Sequence, residues 1–239
     1  MRNVIFGVVT AMSTLVIAPT IEAAIALDRT RVIYPSTEKS ISLTISNDNK
    51  EKPYLAQSWI EDINGNKISS PFIITPPMQR LEPDQTSVIR INKLPSAQEL
   101  PQDRESVFWF NVREIPPKSD RPNVMQVALQ TKVKMFYRPA AVIPERNSRW
   151  DNKIILHKIS GGFRIENPTP YFISVIAITG GKNDMVKKDF KPVMISPFSS
   201  TPVKTVQTNT PYVTTVNDYG GRPSLEFQCS GDVCRAKAQ

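Results

Sequence analysis

Two lysines at the end of a long alternating segment are the residues best suited to chemistry with a partner chain. The segment covers residues 123–134 and ends at Lys132-Val133-Lys134. Its apolar side chains lie at Met125, Val127, Leu129 and Val133. This alternation predicts a strand, which Pro139 should stop. An apolar strand face beside positive charge can take up an extended partner chain and bind its terminal carboxylate. The pattern also fits an ordinary half-buried sandwich strand with solvated lysines.

Catalytic and metal chemistry find little support in the sequence. It has no Gly-x-Ser-x-Gly elbow, no phosphate-binding loop and a single histidine, His157. A nucleophile activated by a histidine base is therefore poorly provided for, and we expect neither an enzyme nor a bound metal. The 30 Lys and Arg exceed the 22 Asp and Glu, giving a net charge of +8. These cations are scattered rather than clustered with aromatic residues, which argues against nucleic-acid binding.

The two cysteines, Cys229 and Cys234, are predicted to form a disulfide. They lie close together near the C-terminus, and in an oxidising compartment they should pair around a small loop. A metal site is the weaker alternative, because His157 is distant and no acidic cluster accompanies them. The loop is short, so we expect a local stabilisation of about 2–3 kcal/mol or less.

The first residues have the order of a secretory signal peptide. Arg2 precedes an uncharged, largely apolar run at residues 4–18, and Pro19 and small residues follow. The run is shorter than the roughly 20 residues that cross a bilayer. We therefore expect residues 1–23 to be a signal peptide cleaved after Ala23, and the mature chain to be exported. Its removal takes one basic and one acidic residue, so the net charge stays at +8.

The rest of the chain predicts an all-β protein with two domains, residues 24–139 and 140–239. Helical periodicity is nearly absent, and 21 prolines outnumber 9 glycines. Alternating runs recur at residues 40–45, 54–60, 87–91, 107–112, 153–156, 162–166 and 171–176. Short strands separated by turn signals are typical of antiparallel sandwiches. The boundary is expected within residues 138–145, where two prolines bracket a segment without a strand pattern, and this short link should hold the domains at a fixed angle around a cleft.

Seven ordered segments make the chain resemble the periplasmic pilus chaperones along essentially its whole mature length. They are residues 27–31 (LDRTR), 45–50 (ISNDNK), 101–106 (PQDRES), 110–117 (FNVREIPP), 136–141 (FYRPAA), 166–171 (ENPTPY) and 217–223 (NDYGGRP). Because these segments occur in the family's order and spacing, the chain is identified as a member of that family. The resemblance implies two immunoglobulin-like β-sandwich domains arranged in an L, with the working site in the interdomain cleft.

The resemblance also implies roles for three sets of residues. Arg31 and Lys134 match the cleft cations that grip the C-terminal carboxylate of a pilus subunit. In this family, alternate apolar side chains of the chaperone fill the groove of an incomplete subunit, a process called donor-strand complementation. These side chains match Met125, Val127 and Leu129. An interdomain ion network matches Glu105, Arg138 and Asp218.

The function implied by the resemblance is that of a periplasmic chaperone for pilus subunits. It would cap subunits by lending them a strand, prevent premature assembly and deliver them to an outer-membrane usher. No cofactor is implied, since folding of the subunit supplies the driving force. Self-association of the free chain, which would cover its apolar stripe, stays open.

Several alternatives stand beside this interpretation. Without the resemblance, Arg31 would be read as a solvated surface arginine, and Glu105 and Asp218 as surface carboxylates. A structural pilus subunit or adhesin of the same sandwich class is the alternative function. The parity of Lys134 is also opposite to that of Met125, Val127 and Leu129. A β-bulge or a strong strand twist is therefore expected to bring Lys134 into the cleft.

Overall fold

Eighteen strands and three short 3-10 helices make up the described part of the chain. The computed structural model describes residues 23–120, 122–145 and 148–237, so the predicted signal peptide up to residue 22 lies outside the described residues. Strands β1 to β10 are Ile25–Leu27, Arg31–Pro35, Ser40–Asn47, Tyr54–Glu61, Lys67–Ile68, Phe72–Thr75, Met78–Leu81, Thr86–Lys93, Ser106–Ile115 and Gln130–Arg138. Strands β11 to β18 are Ile155–Ile159, Gly162–Asn167, Ile173–Thr179, Val193–Ile195, Ser199–Lys204, Tyr212–Val216, Ser224–Ser230 and Val233–Ala236. The 3-10 helices are Pro95–Glu99, Ala140–Val142 and Asp151–Lys153. No described helix has the length and apolar character that crossing a membrane requires.

The first domain is a sandwich of two sheets. One sheet has the order β1-β3-β8-β6, and the other has the order β2-β10-β9-β4-β5, with β7 also paired to β4. Their inner faces meet in one core, which includes Tyr34, Phe72, Phe110 and Met135, all fully buried. The rings of Tyr34 and Phe72 lie 5.1 Å apart, within the range of favourable aromatic contacts. Alternation of apolar and polar residues along each strand therefore builds this domain as expected.

The second domain has its own core and a continuous path of eight strands, in the order β14-β13-β16-β17-β18-β11-β12-β15. Side chains from all eight strands enclose the core, with Phe163 and Phe227 fully buried. The separate cores confirm an all-β chain of two domains. The last strand of the first domain ends at Arg138 and β11 begins at Ile155.

The predicted disulfide is present between Cys229 and Cys234. The two residues face each other in the antiparallel register of β17 and β18, at the end of the hairpin. Cys234 is fully buried in the second core. The bridge therefore closes the last hairpin and anchors it to the domain interior.

The long strand predicted over residues 123–134 is shorter than expected, because β10 begins only at Gln130. Gln130 pairs with Arg113 of β9 in the antiparallel register. Continuing that register would place Val127 and Gln126 opposite Pro116 and Pro117, which have no N–H to donate. Pairing therefore stops, and residues 124–129 form no regular strand.

Lys134 reaches the interdomain side without a bulge. The register of β10 with β9 is continuous from Gln130 to Tyr137. Val133, Met135 and Tyr137 enter the first core, so ordinary alternation turns Lys134 to the opposite face. Of the two expected alternatives, the β-bulge is therefore wrong for residues 130–137.

Truncation of Met135 and of Met125 should distinguish the buried part of residues 123–138 from the exposed part. Met135→Ala removes a fully buried side chain and should lower the free energy of unfolding by about 2–5 kcal/mol. Met125→Ala should change it by less than about 0.5 kcal/mol, because the Met125 side chain is 88% exposed. Urea denaturation of both variants tests this, and equal destabilisation would contradict the assignment.

Candidate functional site

Three alternate residues of β10 face the second domain. The Lys134 Nζ donates to Ser174 Oγ at 3.2 Å, and the ring of Phe136 packs 5.8 Å from that of Phe172. Arg138 continues the same face and reaches into the domain junction. One face of β10 thus carries both the predicted anchor lysine and the predicted network arginine.

Arg31 lies directly beside Lys134. Strand β2 runs parallel to β10, and Arg31 is the register partner of Lys134. Val32 and Tyr34 enter the core, so Arg31 takes the outer face as Lys134 does. Its Nη1 donates to the Val216 carbonyl of the second domain at 3.0 Å. Residues far apart in sequence are therefore brought together as one cationic pair.

The two cations are half-buried, and no described carboxylate forms an ion pair with either. Desolvation, and then the charge of Arg31, lower the pKa of Lys134. Desolvation also lowers the pKa of Arg31, against the opposing attraction of Asp218 and Glu105. Within the described residues neither cation forms an ion pair, and the buried Arg31 Nε has no hydrogen-bond partner. Two adjacent cations with unused donors are suited to bind a carboxylate.

Arg138 connects the domains through two carboxylates. It forms ion pairs with Glu105 at 2.6 Å and with Asp218 at 2.8 Å. Glu105 also accepts a hydrogen bond from the Phe172 backbone N–H at 2.7 Å. Glu105 and Arg138 are only 4% and 5% exposed. Because removal of one partner leaves a buried charge uncompensated, this network should hold the interdomain geometry.

Aromatic rings complete the surroundings of Arg138. Its guanidinium carbon lies 5.1 Å from the ring centres of both Trp150 and Tyr171, which is cation–π distance. The two rings stack on each other at 4.4 Å. Tyr171 also donates its hydroxyl to the Val142 carbonyl at 2.8 Å. The link between the domains is thereby packed against the second domain.

The three predicted donor side chains differ in exposure. Met125 is 88% and Val127 60% exposed, while Leu129 is half-buried. The Leu129 carbonyl accepts from the Glu114 N–H at 3.0 Å, whereas no backbone–backbone hydrogen bond is described for residues 124–128, called here the free segment. Full extension puts Met125 about 30 Å from Lys134, since each strand residue spans about 3.3 Å. The apolar stripe and the cations therefore lie along one stretch of the chain, although their side chains have opposite parity.

Sequence reasoning missed the residues that the second domain contributes. Ser174 and the Val216 carbonyl contact the two cations directly. No local pattern distinguishes them, because each is an ordinary strand residue whose position depends on domain packing. Sequence reasoning also assigned no role to Tyr219, which lines the cleft and belongs to the segment at residues 217–223.

Comparisons with known proteins place the chain among chaperones. The family model "Pili and flagellar-assembly chaperone, PapD N-terminal domain" matches residues 24–143. The model "Pili assembly chaperone PapD, C-terminal domain" matches residues 149–227. The chaperone protein PapD of Escherichia coli is 53% identical over 219 residues, which cover 91% of this chain and 92% of PapD.

Solved structures share the fold. The periplasmic chaperone SfaE is 31% identical with a TM-score of 0.70, over 84% of this chain and 98% of SfaE. A chain in the structure of the Salmonella enterica SafA pilin in complex with the SafB chaperone is 23% identical with a TM-score of 0.74. That match covers 88% of this chain and 99% of the other, and it shows the common fold.

Replacement of Glu105 should reveal its titration in the pH dependence of stability. Burial raises the pKa of Glu105 to about 7, despite the opposing charge of Arg138. The native state therefore binds a proton between pH 4.5 and 7 that the unfolded state has lost, and this contribution to stability disappears as the pH rises. Glu105→Gln removes this titration. The free energy of unfolding of the variant, taken relative to that of the parent at the same pH, should therefore rise by about 2–3 kcal/mol from pH 5 to pH 8.

Urea denaturation of the variant and the parent at pH 5 and at pH 8 measures this change in relative stability. Glu82→Gln is the control, because Glu82 forms an exposed pair with Arg80. A Glu105→Gln variant whose stability relative to the parent is the same at both pH values would contradict the raised pKa.

Proposed function

We propose, because this chain belongs to the family of pilus-assembly chaperones, that it binds pilus subunits in the periplasm and passes them to an outer-membrane usher. The predicted signal peptide at residues 1–23 supports export, and the related SfaE is described as periplasmic. Its relatives are chaperones rather than pilus subunits or adhesins, so the alternative function is not favoured. We further propose that it has no enzymatic activity.

The paired cations carry the proposal. Arg31 and Lys134 are neighbours in the register of β2 and β10, with unused donors and no carboxylate partner among the described residues. Holding two desolvated cations together lowers stability, as their lowered pKa values indicate. A subunit's C-terminal carboxylate would compensate both charges. Charge-assisted bonds to it are worth about 1.5–3 kcal/mol each before desolvation is counted.

The position of the apolar stripe sets the direction of the bound strand. With its carboxylate at Lys134, a subunit strand must run back along residues 129–125. Its C-terminus and that of β10 therefore point the same way, and pairing is parallel. Because no backbone–backbone hydrogen bond is described for residues 124–128, their backbone groups are available to a partner strand, whereas the Leu129 backbone already contacts Glu114.

The two parts of the surface have different tasks. Burial of the Met125, Val127 and Leu129 side chains in a subunit groove would contribute about 1.5–3 kcal/mol each. The cations fix the register, because a slip of one residue turns every apolar side chain away from the groove. The stripe therefore supplies much of the affinity and the anchor supplies the alignment.

Loss of either anchor cation should abolish recovery of subunit complexes. Arg31→Ala and Lys134→Ala each remove charge-assisted bonds, and we expect subunit affinity to fall about 10- to 100-fold. The measurement is co-purification of subunits from the periplasm, with mass spectrometry of the bound proteins. Lys132→Ala is the matched control, since Lys132 lies on the same strand but pairs with Glu61 at 2.6 Å. Normal complex yield from both anchor variants would overturn the proposal.

Polar substitution in the stripe should weaken binding without unfolding the chain. Val127→Thr keeps the side-chain shape but places a hydroxyl in the apolar groove, and should lower subunit affinity about tenfold. Val88→Thr is the control, because Val88 is also exposed, at 46%, but lies on β8 of the other sheet. Equal complex yields from the two variants would remove the stripe from the proposed function.

A further inference from the structure

The cleft between the domains extends past Arg31. It encloses about 830 Å³ between the domains, and Arg31 forms part of its wall. Cavities of about 300–1,000 Å³ hold whole drug-sized molecules, so a single carboxylate fills a small part of this space. Room for a further chemical group therefore lies directly beside Arg31, one of the two anchor cations.

The lining of this space favours an uncharged group. Its ionised residues balance, with four arginines against four carboxylates. Arg29 pairs with Asp28 at 2.6 Å and Arg149 pairs with Asp151 at 2.8 Å, so these charges already have partners. The apolar part of the lining includes Ile143, Trp150, Tyr219 and Pro223. A large apolar or aromatic side chain matches such a wall better than a charged one.

Tyr219 is an almost fully exposed residue of this wall. Its relative exposure is 96%, and across the described ranges no hydrogen bond or ring contact involves its side chain. A tyrosine without contacts does nothing for the stability of its own domain. Exposed aromatic residues at the edge of a cleft are instead frequent determinants of protein recognition.

The backbone that carries Tyr219 is firmly held. Asn217 Oδ1 accepts hydrogen bonds from the N–H groups of Tyr219 at 3.1 Å and Gly221 at 2.8 Å. Gly220 has a φ of +82°, and a Cβ at this position would lie 2.4 Å from Thr30 Oγ1 of the first domain. Only glycine fits there, so the turn contacts the opposite wall. A side chain on a preorganised turn loses little entropy on binding.

We propose that Tyr219 and Trp150 bind the side chain of the subunit's last residue, and that they favour a large apolar or aromatic one. This inference rests on the proposed function, because the carboxylate held by Arg31 and Lys134 brings that side chain to the cavity. The Arg31 Nη1 bonds the Val216 carbonyl, three residues before Tyr219, so anchor and pocket are continuous. Tyr219 is then a specificity-determining residue for subunit selection.

Peptide binding tests the inference directly. The probes are fluorescein-labelled 12-residue peptides with alternating valines, identical except for a last residue of Phe, Leu or Gly. Fluorescence anisotropy with the full mature chain should show the Phe and Leu peptides binding about tenfold more tightly than the Gly peptide. In Tyr219→Ala this preference should fall to within about twofold, with the affinity for the Gly peptide unchanged.

Two further variants complete the design. Tyr219→Phe should keep the preference, because the tyrosine hydroxyl has no partner among the described residues. Met185→Ala should also keep it, since Met185 is 92% exposed in the same domain but does not line the cleft. Loss of the preference in Met185→Ala would overturn the assignment to Tyr219.

Amidated peptides separate this inference from the proposed function. If amidation abolishes binding but the Phe and Gly peptides bind equally well, the pocket is refuted while the anchor stands. If amidation leaves the affinities unchanged, the anchor itself is refuted, and the pocket with it. A preference for large side chains that Tyr219→Ala does not reduce would also overturn the inference.

Discussion

Alternation along β10 is the constraint on which the rest of this structure depends. Val133, Met135 and Tyr137 enter the core of the first domain, and Lys134, Phe136 and Arg138 face the second. Because the period of a strand is two, the same nine residues form a core and an interdomain surface. A shift by one residue would place two cations in the first core. The register with β9 and β2 therefore fixes both domains and the site between them.

Charge compensation differs sharply within a short stretch of the cleft. Arg138 has two carboxylates and two aromatic rings around it. Among the described residues, Arg31 and Lys134 instead hydrogen-bond only neutral oxygens, and Asp218 and Glu105 act on Arg31 without forming an ion pair. The compensated arginine holds the domains together. The pair of Arg31 and Lys134 is held in place by that same packing and keeps its remaining donors for a partner. Structure and binding thus use the same type of side chain, distinguished by what surrounds it.

The free segment before β10 brings a risk of unwanted association. An unpaired backbone with exposed apolar side chains favours association with other strands, and most proteins avoid it. Here Pro116 and Pro117, which follow β9, offer no backbone N–H to residues 126 and 127, although the Gln126 side chain donates to the Pro117 carbonyl. The residues after β9 therefore prevent β10 from extending further back. The chain therefore keeps a segment available for strand addition while its own two cores stay closed.

The sequence by itself determined the elements and their chemistry: the alternating runs, the disulfide of Cys229 and Cys234, and the apolar stripe with its nearby lysines. Local periodicity and cysteine spacing carry this information, and the ordered segments carried the family. Tertiary structure alone decided where pairing stops before Gln130, which face of β10 meets the second domain, and that Ser174 and Val216 contact the cations. These features depend on register and domain packing between residues up to 185 positions apart, and no local pattern records such contacts.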